Sequence, residues 1–169
     1  MIFVTVGTQK FQFNRLFEKI DELIDSKIVT EPVFAQIGNS DYKPRNFEYV
    51  NFLQPIEFED AIEKSDVLIT HSGVATIVKG LYKKKIVIVV PRLKEFGEHV
   101  DNHQVQIAEA FSECNFIMNC YDINCLDEII FKAKTHIFEN YISQKDNVIK
   151  TIEDYIIVLE NQKARNNCN

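Results

Sequence analysis

The sequence predicts an α/β domain with a parallel sheet and helices on both of its faces. Two apolar runs, at residues 67–69 and 86–90, are separated by a segment of helical length. Such runs are typical of strands that are buried on both faces and joined by a crossover helix. The same alternation of apolar run and amphipathic segment extends through most of the chain, and this alternation indicates a parallel sheet.

The first half of the chain contributes three predicted strands and two predicted helices. Ile2 to Val6 is an apolar run that ends at Gly7. Apolar residues then recur at helical spacing, which predicts a helix from about Phe11 to Asp25. The remaining elements of this half are strands at residues 33–37 and 47–52 and a short helix at residues 57–64.

The second half continues the alternation and ends in a long helix. The expected elements are helices at residues 74–82, 102–112 and 126–133, a strand at residues 115–119, and a helix at about 143–161. The last helix carries apolar residues at helical spacing, so one of its faces must be buried, on this domain or on another subunit. The polar residues 162–169 are expected to form a flexible tail.

Length and composition are those of one globular domain. The 169 residues suffice for a full core, and 46% of them are hydrophobic. No apolar run approaches the roughly 20 residues of a membrane span, and the start lacks the basic region of a signal peptide. A net charge of −6 argues against nucleic acid as the main partner. The four cysteines match no common zinc spacing, so reduced thiols in the cytoplasm are expected.

A polar turn follows the predicted strand at residues 67–69. His71, Ser72 and Gly73 stand between this strand and the crossover helix. Ligands bind at the carboxyl ends of strands in open α/β sheets, and the first N–H groups of a helix attract anions. We therefore expect an anion site here. The alternatives are that Ser72 or Thr70 caps the helix and that His71 makes a structural hydrogen bond.

A second turn, Gly7-Thr8, follows the first strand. Its glycine either lets a phosphate or sugar approach the backbone or serves a tight turn. The third glycine of a dinucleotide fingerprint and the Lys-Ser/Thr of a P-loop are missing, which disfavours an NAD or ATPase site. Ser72 lacks the leading glycine of a nucleophile elbow, so it is not expected to be a hydrolase nucleophile.

A dense polar cluster, Glu-His-Val-Asp-Asn-His-Gln, occupies residues 98–104 after Pro91-Arg92. Histidine and carboxylate side chains are possible metal ligands. However, a helix start at Asp101 or Asn102 does not ensure that His99 and His103 face the same way. We expect one of the two cap residues to start the helix and several neighbours to contact a ligand, without a metal.

In their order and spacing, these segments resemble the nucleotide-sugar-binding half of GT-B glycosyltransferases. More narrowly, the chain resembles the PssE-type subunits of bacterial two-subunit exopolysaccharide and capsule transferases, with a glycosyltransferase family 28 C-terminal domain. It is also similar to the catalytic subunit of the two-subunit N-acetylglucosaminyltransferase that extends dolichol-linked glycans and, more distantly, to the C-terminal half of MurG. The segments that carry the resemblance are residues 1–9, 11–17, 66–76, 89–92 and 97–107.

The resemblance implies a single Rossmann-like domain, equivalent to the C-terminal half of a GT-B fold, that binds a UDP-sugar without a cofactor or metal. The diphosphate would contact the two glycine turns, the uracil would lie at about residues 53–58, and the sugar would meet residues 98–104. The implied binding residues are Gly7, Thr8, Leu53, Phe58, Ser72, Gly73, Val74, Thr76, Arg92, Asn102 and Gln104. The candidates for a catalytic base in this chain are His71, Glu98 and His103, and the alternative is a base supplied by a partner subunit.

The resemblance also implies partners, because a GT-B enzyme needs two halves and this chain supplies one. The other half would be a membrane-associated subunit that binds a lipid-linked sugar acceptor and recruits this cytoplasmic chain to the inner membrane face. The C-terminal helix would dock on that subunit, and a homo-oligomer could form in its absence. A subunit that binds the nucleotide sugar without catalysis and activates its partner is the alternative.

One position departs from the pattern of the MurG-like enzymes. Where those enzymes often present a glutamate to the ribose hydroxyls, this chain has Lys79. An ammonium group cannot accept hydrogen bonds from a diol. Either the ribose is held by another group, or Lys79 turns toward phosphate or solvent.

Overall fold

The computed structural model describes residues 1–143 and 145–166, and its centre is a six-stranded sheet. The strands are β1 (Ile2–Thr5), β2 (Val33–Gln36), β3 (Glu48–Val50), β4 (Val67–Thr70), β5 (Ile86–Val89) and β6 (Met118–Asn119). All neighbouring strands are parallel, in the order β3-β2-β1-β4-β5-β6. The predicted α/β class with a parallel sheet is therefore confirmed.

Six α-helices connect or follow the strands. They are α1 (Asn14–Asp25), α2 (Pro55–Lys64), α3 (Val74–Tyr82), α4 (His103–Glu113), α5 (Leu126–Thr135) and α6 (Lys145–Asn166). Short 3-10 turns occupy Lys94–Phe96 and Ile123–Cys125. In the described residues, no helix combines the length and apolar character needed to cross a bilayer.

The strands are buried on both faces because helices cover the sheet from either side. On one face, β1, β2, β4 and β5 pack against α1 and α5 through residues such as Val4, Leu16, Ile69 and Ile130. On the other face, the alternate strand residues pack against α2, α3 and α4. Alternation of side chains along each strand thus supplies two apolar layers.

The strand register brings three polar turns to one edge. Thr5 of β1 pairs with Thr70 of β4, and Thr70 pairs with Val89 of β5. The chain continues from these three ends into Gly7, His71 and Arg92. Because the strands are adjacent and parallel, these three residues lie side by side at the carboxyl edge of the sheet.

Several boundaries differ from the prediction for local reasons. Helix α1 begins at Asn14 rather than near Phe11, because the Phe13 amide donates to the Ser40 hydroxyl at 2.9 Å and holds that residue in a loop. Strand β6 is only two residues long. The residues before it include Asn115, whose φ of 56° ends helix α4 rather than starting a strand.

The largest difference lies in the C-terminal segment. We predicted that this helix ends near residue 161, but α6 continues to Asn166, and the flexibility of residues 162–169 stays a prediction. Its extension contains Gln, Lys, Ala and Arg and no Gly or Pro, so nothing in the local sequence ends the helix. Residues 167–169 lie outside the described part of the chain.

Candidate functional site

His71 occupies the centre of the polar edge, between two glycine turns. A β carbon at Gly7 would lie 2.7 Å from the imidazole Cε1, and one at Gly73 would lie 2.6 Å from Nε2. Gly7 also has a φ of 73°, in the region that side-chain-bearing residues rarely adopt. The ring therefore sets the spacing between the two turns.

His71 is held neutral by its surroundings. It is only 8% exposed, and burial together with the nearby Arg92 guanidinium lowers its pKa from 6.5 to about 4. A hydrogen bond to the Thr5 backbone opposes this shift without cancelling it. At neutral pH the ring consequently carries no charge and presents one donor and one acceptor nitrogen.

Arg92 is a buried cation with unused hydrogen-bonding capacity. Its Nη2 donates to the Val6 carbonyl at 2.8 Å, and its guanidinium lies 5.5 Å from the centroid of the Phe13 ring. In the described part of the chain, Nε and Nη1 have no hydrogen-bond partner. Burial lowers the pKa of Arg92 to about 10, so it stays protonated at neutral pH and favours a nearby anion.

The first turn of α3 is a second source of unused donors. Gly73 is its N-cap, without a capping side chain, so Ser72 and Thr70 do not cap the helix. The Thr70 hydroxyl instead donates to the Thr5 carbonyl at 2.9 Å. The Ser72 hydroxyl is buried and finds no partner among the described residues. A helix N-terminus of this kind attracts an anion.

Gln104 joins this turn to the loop that follows β5. Its Oε1 accepts the backbone N–H of Arg92 at 3.0 Å and, more weakly, that of Ser72 at 3.4 Å. Gln104 is 5% exposed, in the first turn of α4. We expected it to contact a ligand, and the structure shows that its oxygen joins the turn at Ser72 to the loop at Arg92.

Glu98, a candidate base, is almost fully engaged by protein groups. Arg15 donates from Nε to Oε1 at 2.7 Å and from Nη2 to Oε2 at 3.0 Å. The Leu93 amide also donates to Oε2, at 3.1 Å. Because both oxygens already accept hydrogen bonds, this carboxylate is poorly placed to take a proton from a substrate.

Helix α4 begins after its N-cap, Asn102, and the side chain of the preceding Asp101 binds its first amide. The Asp101 Oδ1 accepts the His103 amide at 3.0 Å and lies 3.0 Å from Nδ1 of His99. The Asn102 Oδ1 accepts the Lys94 amide at 3.1 Å. His103, the third candidate base, is exposed, with Nδ1 3.2 Å from the Gln106 Oε1. Of the three candidates, His103 is thus the one open to solvent.

The segment predicted to face a uracil, residues 53–58, follows β3 and includes the first turn of α2. The Leu53 amide donates to the Gln36 Oε1 at 3.0 Å, and Phe58 packs edge-on against Phe3 with ring centroids 5.6 Å apart. Both side chains are half-buried. Lys79 lies 5.6 Å from the Phe58 ring centroid and forms an ion pair with Glu59 of α2.

The remaining predicted binding residues surround the two turns. Thr8 and Val74 are exposed, while Thr76 is half-buried in the first turn of α3. The structure thus groups Gly7, Thr8 and residues 71–76 at one place, together with Arg92. Leu53 and Phe58 belong to the neighbouring α2 segment.

Sequence reasoning missed two residues of this region, Arg15 and Glu59. Arg15 binds Glu98, which is 83 positions away, and Glu59 binds Lys79 from another helix. Neither residue belongs to a motif, and each looks like an ordinary charged residue on a helix surface. The one available signal was that Glu98 and Lys79 needed oppositely charged partners.

The sequence matches one protein-family model across most of its length. Residues 1–157 match the glycosyltransferase family 28 C-terminal domain. Among curated relatives, the UDP-N-acetylglucosamine transferase subunit ALG13 of Candida albicans is 28% identical over 127 residues. That match covers 70% of this chain and 40% of the relative, so the chain spans less than half of that protein's length.

Solved structures share the fold at low sequence identity. The kitacinnamycin glycosyltransferase superposes with a TM-score of 0.61 at 18% identity, covering 80% of this chain and 35% of that one. MurG of Acinetobacter baumannii gives a TM-score of 0.52 at 17% identity, with 89% and 49% covered. The solution structure of ALG13 gives 0.56 at 18% identity, with 89% and 93% covered.

The fold and the family match therefore agree. The parallel sheet and the helices on both of its faces are similar to the C-terminal halves of GT-B glycosyltransferases. The family match includes both glycine turns and the loop that follows β5. The chain belongs to the glycosyltransferase family 28 C-terminal domain family.

Proposed function

We propose that this chain is the donor-binding and catalytic subunit of a two-subunit UDP-sugar-dependent glycosyltransferase. It would transfer a hexose to a lipid-linked acceptor in exopolysaccharide or capsule biosynthesis. The family match supports glycosyl transfer. The name of the Candida albicans relative, a transferase subunit, supports a nucleotide-sugar donor and assembly with another chain.

The observation that carries the proposal is the group of unused donors at the polar edge. The uncapped start of α3, the Ser72 hydroxyl and the Arg92 guanidinium converge beside Gly7. Helix N-termini and arginine forks bind phosphates strongly. A diphosphate is a dianion or trianion, and it matches this set of donors in charge and in hydrogen-bonding need.

In the proposed reaction, an acceptor hydroxyl attacks the anomeric carbon of the donor sugar. The bond between that carbon and the β-phosphate oxygen breaks, and UDP leaves with the bonding electrons. Donors at the start of α3 and Arg92 stabilise the charge that develops on the diphosphate, so no metal is required. The acceptor proton passes to a base, for which His103 is the candidate with the most open position.

The neighbouring segments would hold the rest of the donor. The uracil would lie against the segment from Leu53 to Phe58, and the sugar would face Asn102 and His103. With Lys79 paired to Glu59, the ribose hydroxyls would be held by a group other than Lys79.

The acceptor half would come from a membrane-associated partner subunit that recruits this chain to the cytoplasmic face of the membrane. Helix α6 supplies the proposed docking surface, because its apolar side chains are exposed. These are Ile149, Ile152, Tyr155, Ile156, Ile157 and Leu159. Replacing Ile152 and Ile156 by Asp should release the chain from membranes of cells that make both subunits, while its UDP affinity stays unchanged.

A non-catalytic role is a second candidate. Two of the three candidate bases are engaged: His71 is buried and neutral, and Glu98 is bound by Arg15. A subunit that binds the nucleotide sugar and activates its partner would keep UDP binding and tolerate loss of the third candidate. Transfer by the assembled complex that survives His103→Ala would favour this alternative.

Calorimetric titration of the purified chain with UDP tests the proposal. We expect selective binding of UDP over ADP, with the same affinity in magnesium and in EDTA. Ser72→Ala should weaken UDP binding by about 5- to 10-fold, because it removes one donor from the anion site. Ser112→Ala, on α4, is the matched control.

Absence of UDP binding by the wild-type chain would refute donor binding by this subunit alone. Binding that disappears in EDTA would contradict the metal-free mechanism and leave donor binding intact. Equal effects of Ser72→Ala and Ser112→Ala would place the nucleotide elsewhere on the protein.

A further inference from the structure

The loop after β5, residues 91–102, is fixed to helix α1 by one side chain. Arg15 makes the two-point contact with Glu98 described above and also donates from Nη2 to the Pro91 carbonyl at 2.9 Å. Glu98 in turn accepts the Leu93 amide at 3.1 Å. The pair therefore contacts the start of the loop, at Pro91 and Leu93, and joins it to the later part of the loop at Glu98.

The pair is well shielded from water. Its side chains are 15% exposed for Arg15 and 6% exposed for Glu98. The Arg15 guanidinium also lies 5.0 Å from the ring centroids of Phe13 and Phe96. A planar guanidinium satisfies all these contacts together, whereas an ammonium group supplies neither the fork nor the stacking surface.

The loop has little regular structure that could hold it in place. It contains one 3-10 turn, Lys94–Phe96, and Gly97 with a φ of 67°. Its internal hydrogen bonds, such as those from the Gly97 amide to the Lys94 carbonyl and from the Lys94 amide to the Asn102 Oδ1, join the loop to itself and not to the sheet or to α1. Its position then depends on external contacts, of which the Arg15–Glu98 pair is the most buried ion pair in the described residues.

The position of this loop decides where the ligand-facing groups lie. Arg92 stands at its start, and Asn102 and His103 stand at its end. A shift of about 1 Å in such groups is enough to weaken a productive contact severely. The Arg15–Glu98 pair lies behind them, on the α1 side, and both Glu98 oxygens are occupied.

We propose that Arg15 and Glu98 are positioning residues, which hold the loop where Asn102 and His103 reach the sugar of the donor. This inference rests on the proposed function and replaces a base role for Glu98. It predicts that the pair contributes to recognition of the sugar part of the donor and little to recognition of UDP.

The test compares four variants of the full chain: Arg15→Gln, Glu98→Ala, Glu98→Gln and the control Lys132→Gln. Lys132 forms an exposed ion pair with Glu128 on α5. Lys132→Gln therefore shows the effect of removing an ion pair elsewhere on the protein. Calorimetry gives the affinity for UDP and for the best-bound member of a UDP-hexose and UDP-N-acetylhexosamine panel. NMR spectra report the backbone amides of residues 91–104.

We expect Arg15→Gln and Glu98→Ala to shift the Leu93 amide signal and those of the loop. The ratio of the affinity for the UDP-sugar to the affinity for UDP should fall by about 10-fold or more. The affinity for UDP itself should change by less than about 3-fold. Glu98→Gln keeps the size of the side chain but only one of its two acceptor oxygens, so its effect on both readouts should be smaller than that of Glu98→Ala. Lys132→Gln should change neither.

Unchanged loop amides in Arg15→Gln would overturn the inference, since the pair would not set the loop position. Shifted amides with an undiminished sugar contribution would also overturn it. If the wild-type chain binds no UDP, the proposed function fails, and the amide spectra still decide whether the pair fixes the loop. Spectra that lose chemical-shift dispersion throughout would show that a variant is unfolded. Glu98→Gln and Arg15→Lys would then be compared with the wild type in its place.

Discussion

Nε2 of His71 lies 2.6 Å from the position that a β carbon would take at Gly73. The same ring is also close to the β-carbon position of Gly7, with Cε1 at 2.7 Å and Nε2 at 3.0 Å. One imidazole thus dictates glycine in two turns that are more than 60 positions apart. The imidazole ring therefore sets the distance between the two turns.

The first prediction concerns the packing of this ring. Gly73→Ala should destabilise the protein by about 1–3 kcal/mol, because the added methyl group overlaps a buried ring that cannot move toward Gly7. Backbone strain plays no part, since Gly73 has a φ of −77°. Chemical denaturation of the wild type and the variant measures the free energy of unfolding.

A double-mutant cycle separates this overlap from other effects. In a His71→Ala background the space is open, and Gly73→Ala should cost less than about 0.5 kcal/mol. All three atoms nearest to the Gly73 β-carbon position belong to His71, which is why the background removes the conflict. An equal cost in both backgrounds would show that the ring is not the cause.

The second prediction concerns the pH dependence of stability. The pKa of His71 is about 4 in the folded state, mainly because of burial, and about 6.5 when the chain is unfolded. The unfolded state therefore binds more protons between these values, and stability falls as the pH decreases from 6.5 to 4. The full loss is up to about 3 kcal/mol.

His71→Asn should flatten this part of the stability curve. Urea denaturation at a series of pH values gives the slope for each protein. The exposed His103 supplies the control variant, His103→Asn, which should keep the full loss. A His71→Asn curve parallel to that of the wild type would mean that another group carries the acid sensitivity.

The sequence was most informative where burial is periodic. The helix predicted at residues 74–82 coincides with α3. The apolar strands on both sides of this segment fix its length. The turns at Gly7 and Ser72 were predicted at the correct edge of the sheet for the same reason. Parallel strands fix which ends meet, so strand assignment also places the polar turns that follow.

Contacts between side chains distant in sequence could not be predicted. Ser72 appears suited to cap a helix, yet its hydroxyl is left without a partner in the described residues. Glu98 appears suited to act as a base, yet Arg15 from α1 occupies it. Each outcome depends on how the helices pack against the sheet. Hydrophobic periodicity alone does not determine this packing.

The third prediction concerns Gln104. Gln104→Leu should destabilise the protein by about 1–3 kcal/mol, because it leaves the buried N–H groups of Arg92 and Ser72 without their acceptor. The turn at Ser72 and the loop at Arg92 would then move independently, so UDP affinity should also fall. Thermal unfolding and calorimetric titration with UDP measure the two effects.

Gln106→Leu is the matched control, because Gln106 is exposed on the same helix. It should leave both stability and UDP affinity close to those of the wild type. If Gln104→Leu unfolds like the wild type and binds UDP equally well, the oxygen of Gln104 does not join the two segments.

The fourth prediction concerns Asp21, a buried carboxylate on α1. It is 1% exposed and accepts hydrogen bonds from the Tyr42 hydroxyl at 2.7 Å, the Arg45 amide at 2.8 Å and the Asn46 amide at 2.9 Å. These bonds attach the loop before β3 to α1. Asp21→Asn should destabilise the protein by about 1–3 kcal/mol, because an amide accepts on one side only.

The same variant has a spectroscopic consequence that stability alone would not reveal. Burial, reinforced by the hydrogen bond to Asp21, raises the pKa of Tyr42 above its ordinary value. Removing the negative charge in Asp21→Asn should lower that pKa toward the ordinary value, which ultraviolet difference titration detects, with Tyr42→Phe identifying the signal. Because the neutral amide still allows burial, the shift should be partial. A Tyr42 titration identical in both proteins would mean that burial alone sets its pKa and that the carboxylate holds the loop through its two backbone contacts.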